Sequence, residues 1–194
     1  MIRAKSLNIS EILSGNRTLV KNAMLTIGGS LIIATLAQLR LNLPFSPVPV
    51  TGQTLGVLLV GILLGANRGS MAVMMYLTEG VCGLPVFAGG GFGTAYLLGP
   101  TGGYLVGFVG TAYLAGYLMQ MHWDRNLALL TVGIIVSLAI TFVVGTLWLS
   151  LFVGLSTAVK LGLMPFMTGE VLKIAVVIVS LPAGKKMLNH WQNS

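Results

Sequence analysis

The chain is short of what a soluble protein uses to meet water. Only 8% of its 194 residues are charged, and four of them are acidic: Glu11, Glu79, Asp124 and Glu170. It has one cysteine, Cys82, so an internal disulfide or a thiolate metal cluster is excluded. Cys82 lies in an apolar run and reads as plain packing. There are two histidines, His122 and His190, too few and too far apart for a metal centre. His122 opens the polar run HWDRN, which predicts a solvated turn with an interfacial tryptophan. The sequence contains no GxSxG elbow, no HExxH helix and no GxxxxGK[ST] phosphate loop. Nothing therefore points to an enzyme or to an ATP site, and no metal or cofactor is expected. The net charge of +7 is spread out, with no basic patch interleaved with aromatics, so nucleic acid is not indicated as a partner.

Hydrophobic residues are what is abundant, at 55% of the chain, with a mean hydropathy of +0.92. Such a composition, with apolar runs recurring along most of the length, predicts an all-α integral membrane protein. The 194 residues read as a single membrane domain. The runs place spans near Asn22–Leu39, Val50–Ala66, Ser70–Val81, Thr101–Met121, Asn126–Ser156 and Phe166–Pro182. Asn67-Arg68-Gly69 is expected to be the turn between the second and third spans. Gly184-Lys185-Lys186 is expected to end the last one. The polar stretch 1–21 precedes the first span and does not look like a cleaved signal peptide. Six spans put both termini on one side, with Arg3, Lys5, Arg17, Lys21, Arg68, Arg125, Lys185 and Lys186. Only Arg40 and Lys160 fall on the other side, so stretches 1–21 and 183–194 are expected to be cytoplasmic.

Two uncharged segments break the helical pattern. Gly83–Tyr104, GLPVFAGGGFGTAYLLGPTGGY, holds eight glycines and two prolines. Leu41–Gln53, LNLPFSPVPVTGQ, holds three prolines and predicts a re-entrant or plug segment. Irregular backbone this apolar must pack against protein or line a cavity beside the membrane. By the charge count both segments face outside, together with the start of the last span, and the three converge on one outward site.

The polar residues near these elements are the binding candidates. Glu170 and Lys173 are three apart on the last span and share a helix face. Ionisable groups inside a membrane default to function, with a self-neutralising structural pair as the other reading. Glu79 reads equally as a rim residue or a second acceptor. Gln53 follows the plug-like segment and both donates and accepts. Tyr96 and Tyr104 offer ring faces and hydroxyls, in the site or as interfacial anchors. Thr26, Ser30 and Ala34 fall four apart on the first span, a small-residue ladder for close helix approach. Packing within the chain is the simpler reading of that ladder, docking to another membrane subunit the other.

Three runs then carry a resemblance: PFSPVPVTGQTLGVLLVGILLG (Pro44–Gly65), LPVFAGGGFG (Leu84–Gly93) and LGPTGGYLVGF (Leu98–Phe108). In this order they resemble the BioY family, the biotin-specific substrate-binding membrane components of energy-coupling-factor (ECF) transporters. The resemblance implies a six-helix membrane protein that captures biotin from outside with high affinity. It also implies partners, a transmembrane coupling subunit and two cytoplasmic ATPases, with Thr26, Ser30 and Ala34 facing the former. The family's last-span motif reads approximately Pro-Phe-x-x-Gly-Asp-x-x-Lys; Glu170 replaces the aspartate, moving the carboxylate outward by one methylene. Under the resemblance, Leu84, Phe87 and Tyr96 form an apolar slot for the fused rings. A carboxylate with an amide or ammonium nearby matches the ureido group. Lys173 or the backbone N–H groups of Gly89, Gly90 and Gly91 would take the valerate carboxylate. The competing readings are a binding component for another vitamin and a stand-alone facilitator for a small solute.

Overall fold

The computed structural model describes the backbone of residues 9–193 and the side chains of residues 19–181. The charges at Arg3, Lys5, Arg17, Lys185 and Lys186, and His190, lie outside the residues whose side chains are described. The fold is mostly helical. Its long elements are α1 (Ile9–Ala37), α2 (Gln53–Leu64), α3 (Ala66–Val81), then a short α4 (Thr94–Leu98) followed by α5 (Gly102–Gln120). They continue with α6 (Leu127–Val153), a short α7 (Leu155–Gly162) and α8 (Met164–Asn193). Among the described residues, three stretches are long and apolar enough to cross a membrane on their own: Leu19–Ala37, Leu127–Val153 and Leu155–Leu181. Exposed Leu147, Leu151, Val171 and Val179 are the outward sides of such helices, the arrangement expected where lipid is the solvent.

Helix α5 lies at the centre, packed against α6 on one side and against α2 and α3 on the other. The contact with α2 is close because Gly61 meets the backbone of Ala112, where a Cβ would come within 2.5 Å of the carbonyl oxygen. Against α6, the buried Thr111 and Thr141 hydroxyls pair at 2.7 Å, and Thr111 also bonds the Ser137 carbonyl at 2.8 Å. Two apolar clusters result. One gathers α1, α2, α3 and α5 around Ile33, Val57, Tyr76 and Phe87. The other gathers α2, α5, α6 and α8 around Leu58, Tyr104, Phe142 and Phe166.

The boundaries differ from the sequence expectations in instructive ways. Helix α1 covers Ile9–Ala37, so most of the polar stretch before residue 22 is helical. The break after the second helix falls at Gly65, whose φ of 80° requires glycine. Asn67-Arg68-Gly69, expected as the turn, instead lies in the first turn of α3. Similarly, Gly154 at φ 79° divides the long apolar run into α6 and α7. Pro165 falls in the first turn of α8, where its missing N–H breaks no bond. That helix continues past Pro182 and Gly184, beyond the expected end.

The proline-rich segment is tied down rather than threaded into the bundle. Its two ends pair as an antiparallel ladder, β1 (Arg40–Leu41) against β2 (Val50–Thr51). Ser46 donates to the carbonyl of Leu161 at 2.8 Å, fastening the segment to α7. The glycine-rich segment crosses the same end of the bundle. Gly93 donates to the carbonyl of Gly80 at 2.7 Å, and Trp148 of α6 donates to Gly99 at 2.9 Å.

Candidate functional site

At the end of the bundle where these two segments meet, six elements enclose a narrow slot. Val48, Pro49 and Thr51 come from the proline-rich segment, Gln53 and Thr54 from α2, and Tyr96 from α4. Tyr104, Leu105 and Phe108 come from α5, Thr141 and Phe142 from α6, and Phe166, Glu170 and Lys173 from α8. Its free volume is about 30 Å³, room for about two water molecules. The walls are aromatic. Tyr104 stacks on Phe166 at 6.2 Å, and Phe142 stands edge-on to Tyr104.

The polar floor is built by Thr54, Glu170 and Lys173. Lys173 Nζ meets Glu170 Oε1 at 2.6 Å and donates to Thr54 Oγ1 at 2.8 Å, while that hydroxyl donates to Glu170 Oε1 at 2.9 Å. One oxygen of the buried carboxylate is therefore held twice. The other, Oε2, is buried with no partner among the described residues. A buried acceptor left unmatched costs about 1–3 kcal/mol, so this arrangement favours a ligand bringing an N–H or O–H. Beside it, Gln53 donates to the Tyr76 hydroxyl at 2.6 Å and accepts from Thr51 Oγ1 at 2.9 Å. These bonds hold its amide still and leave one N–H to offer.

Of the residues expected from sequence, Gln53, Tyr96, Tyr104, Glu170 and Lys173 line this slot. Tyr104 presents its ring, because its hydroxyl donates to the carbonyl of Gly162 at 2.8 Å. Phe87 stands one layer back, fully buried, stacked on Tyr96 at 5.0 Å and edge-on to Tyr76 at 5.5 Å. Gly89, Gly90 and Gly91 form the turn beyond it, with Gly91 against the Tyr96 ring. Leu84 is exposed and does not reach the slot. Glu79 points the other way, toward α1, where Ser30 donates to its Oε1 at 2.9 Å. Thr26 and Ser30 are accordingly buried inside the chain and Ala34 is half-buried, so the ladder packs inward, toward α3. Desolvation holds the Tyr96 phenol above its ordinary range, so it faces the slot as a neutral hydroxyl.

Sequence reasoning missed Thr54, which joins both charged residues, and Tyr76, which orients Gln53. The first was legible as a hydroxyl adjacent to Gln53. The second falls three residues before Glu79, hence beside it on α3. A larger groove, about 580 Å³, opens sideways between α6 and α8 among Val143, Leu147 and Val171. It shares Phe142 and Glu170 with the slot, but carbon lines nearly all of it. The narrow slot has the convergent polar groups that fix a ligand.

Fold and slot together define a helical membrane protein with an enclosed polar floor suited to a small solute. The BioY family profile matches residues 5–190. "Biotin transporter BioY2" of Lactococcus lactis subsp. cremoris is 38% identical over 164 residues, 84% of this chain and 88% of that protein. "Biotin transporter BioY" of Rhizobium etli is 35% identical over 165 residues, covering 80% and 88%. In three dimensions the chain resembles the crystal structure of the S-component for biotin from an ECF-type ABC transporter. The TM-score is 0.76 at 27% identity, over 89% of this chain and 93% of that one. The chain belongs to the BioY family.

Proposed function

We propose that this chain is the membrane-embedded subunit that binds biotin for uptake, and that the slot is where it binds. The observation that carries the site assignment is the Thr54–Glu170–Lys173 floor with its unpartnered carboxylate oxygen. Biotin's ureido group has two N–H donors and one strong acceptor. Glu170 Oε2 would take an N–H, while the Lys173 ammonium or the Gln53 amide would meet the carbonyl. The fused rings would lie among Tyr96, Tyr104, Phe108 and Phe166. Pockets for drug-sized ligands run roughly 300–1,000 Å³, far above the 30 Å³ free here. Binding therefore displaces the proline-rich or glycine-rich segment, the two walls made of irregular backbone. No bond is made or broken in the ligand.

In the same reading α1, α2, α3, α5, α6 and α8 each cross the bilayer, with both termini in the cytoplasm and the slot outside. The spread of basic residues supports this orientation. Phe87 and the Gly89–Gly90–Gly91 turn act from behind the slot wall, while Glu79 ties α3 to Ser30 of α1 and Leu84 stays outside the slot. An energising module, a transmembrane coupling subunit with two ATPases, would drive release inward, since the chain has no phosphate loop of its own. Because Thr26 and Ser30 are buried inside the chain and Ala34 is half-buried, docking of the coupling subunit on α1 would fall to its outward face, where Ile27 and Leu31 are exposed.

Calorimetric titration of the purified protein in detergent tests the reading. Biotin is expected to bind at one molecule per chain in the nanomolar range, with thiamine and riboflavin giving no heat. Binding of another vitamin by folded protein that ignores biotin would support the competing substrate.

A further inference from the structure

Beside the slot stands a cation with no acidic partner among the described residues. Arg40 lies in β1, its Cα opposite that of Thr51, which forms part of the slot wall. Its side chain reaches over the glycine-rich segment and rests on Gly89, so near that a Cβ there would overlap the guanidinium. Gly89 holds φ 68°, and Gly91 in the same turn backs the Tyr96 ring that lines the slot. Gln38, two residues before the arginine, clamps this turn. Its Nε2 donates to the carbonyls of Val86 and Phe87 at 3.3 and 3.2 Å, and its Oε1 accepts from the Gly90 N–H at 3.0 Å. Arg40 is thus positioned between the two irregular walls, and it remains exposed.

The charges explain what it is for. At the floor, Lys173 and Glu170 neutralise each other at 2.6 Å, so that end suits a polar but uncharged group. Arg40, by contrast, pairs with no carboxylate among the described residues. A ligand with a neutral polar head on the floor and a carboxylate tail at the mouth would be favoured by a cation there. We propose that Arg40 binds the carboxylate of the ligand at the mouth of the slot and thereby selects the acid over its neutral amide. The guanidinium fork matches a carboxylate with two parallel hydrogen bonds. Gly89 is glycine by its φ of 68°, and its missing side chain leaves room for the guanidinium. The inference rests on the biotin reading, which supplies such a ligand, and adds a specificity element to it.

Biotin and biotinamide, titrated into wild type, Arg40→Lys and Arg40→Gln, decide the matter. An exposed ion pair contributes up to about 1 kcal/mol, so Arg40→Gln is expected to weaken biotin about fivefold. Biotinamide is expected to change by less than about twofold, since it never had that contact, and Arg40→Lys is expected to fall between, keeping charge without the fork. Retained biotinamide binding also certifies that Arg40→Gln is folded. Equal losses for both ligands, or unchanged biotin affinity, would overturn the assignment to Arg40 alone. Wild-type protein that binds neither ligand would overturn the biotin reading instead.

Discussion

Replacing Lys173 by Met is expected to damage both stability and binding, and the two effects can be separated. Lys173 is the one cation on the buried Glu170 carboxylate, 2.6 Å away. Removing it leaves a charge enclosed by protein, which costs about 3–5 kcal/mol. Lys173→Met therefore lowers the melting temperature sharply. Adding Glu170→Gln removes the stranded charge, so Lys173→Met/Glu170→Gln recovers most of that loss. It does not recover binding. The double variant lacks the ammonium and the charged acceptor, each about 1.5–3 kcal/mol in a charge-assisted bond, and biotin affinity falls at least about 100-fold. Thermal unfolding and calorimetry on the same samples check both halves. A double variant as stable and as tight as wild type would make the pair a structural feature only.

The second large effect belongs to Phe87. Its ring is fully buried between Tyr76 and Tyr96, in a notch that exists because residue 80 is glycine: a Cβ there would fall inside the ring. This contact roots the glycine-rich segment in the bundle. Truncating a buried Phe to Ala costs about 3–5 kcal/mol when the whole fold feels it. Here the loss falls first on residues 84–98, where little regular structure resists opening. Phe87→Ala is expected to keep the helical circular dichroism, speed hydrogen exchange across that segment, and weaken biotin at least about tenfold. Gly80→Leu is expected to do the same by filling the notch. Unchanged exchange and affinity in both variants would remove the segment from the binding wall.

Much of this was legible in residue types. Eight glycines and no charge over Gly83–Tyr104 marked apolar, irregular backbone; the segment does turn through positive φ at Gly89, Gly90 and Gly93, but it also holds the short α4 and the first turn of α5. The three-residue spacing of Glu170 and Lys173 put them on one helix face, and they pair there. What spacing could not supply was which neighbour each face meets. Glu79 lies on α3 beside Tyr76, yet its carboxylate turns to Ser30 of α1 while Tyr76 reaches Gln53. The Thr26–Ser30–Ala34 ladder specified close approach, and small residues allow that equally to α3 of the same chain or to another subunit. Helix breaks were misplaced where a polar run competed with a glycine. Asn67-Arg68-Gly69 looked like the turn, but helical backbone tolerates all three, whereas Gly65 adopts a φ that helix cannot use. Thr54 stood beside Gln53 in the sequence, but its part in the floor depends on α8 being brought against α2.

The measurement that bears most directly on the account is a structure of the protein determined with biotin bound. The expected result places the ureido group within hydrogen-bond distance of Glu170 and Lys173, the rings among Tyr96, Tyr104 and Phe166, and the proline-rich or glycine-rich segment displaced to open the slot. Biotin found elsewhere, in the apolar groove between α6 and α8 or away from the Thr54–Glu170–Lys173 floor, would contradict it.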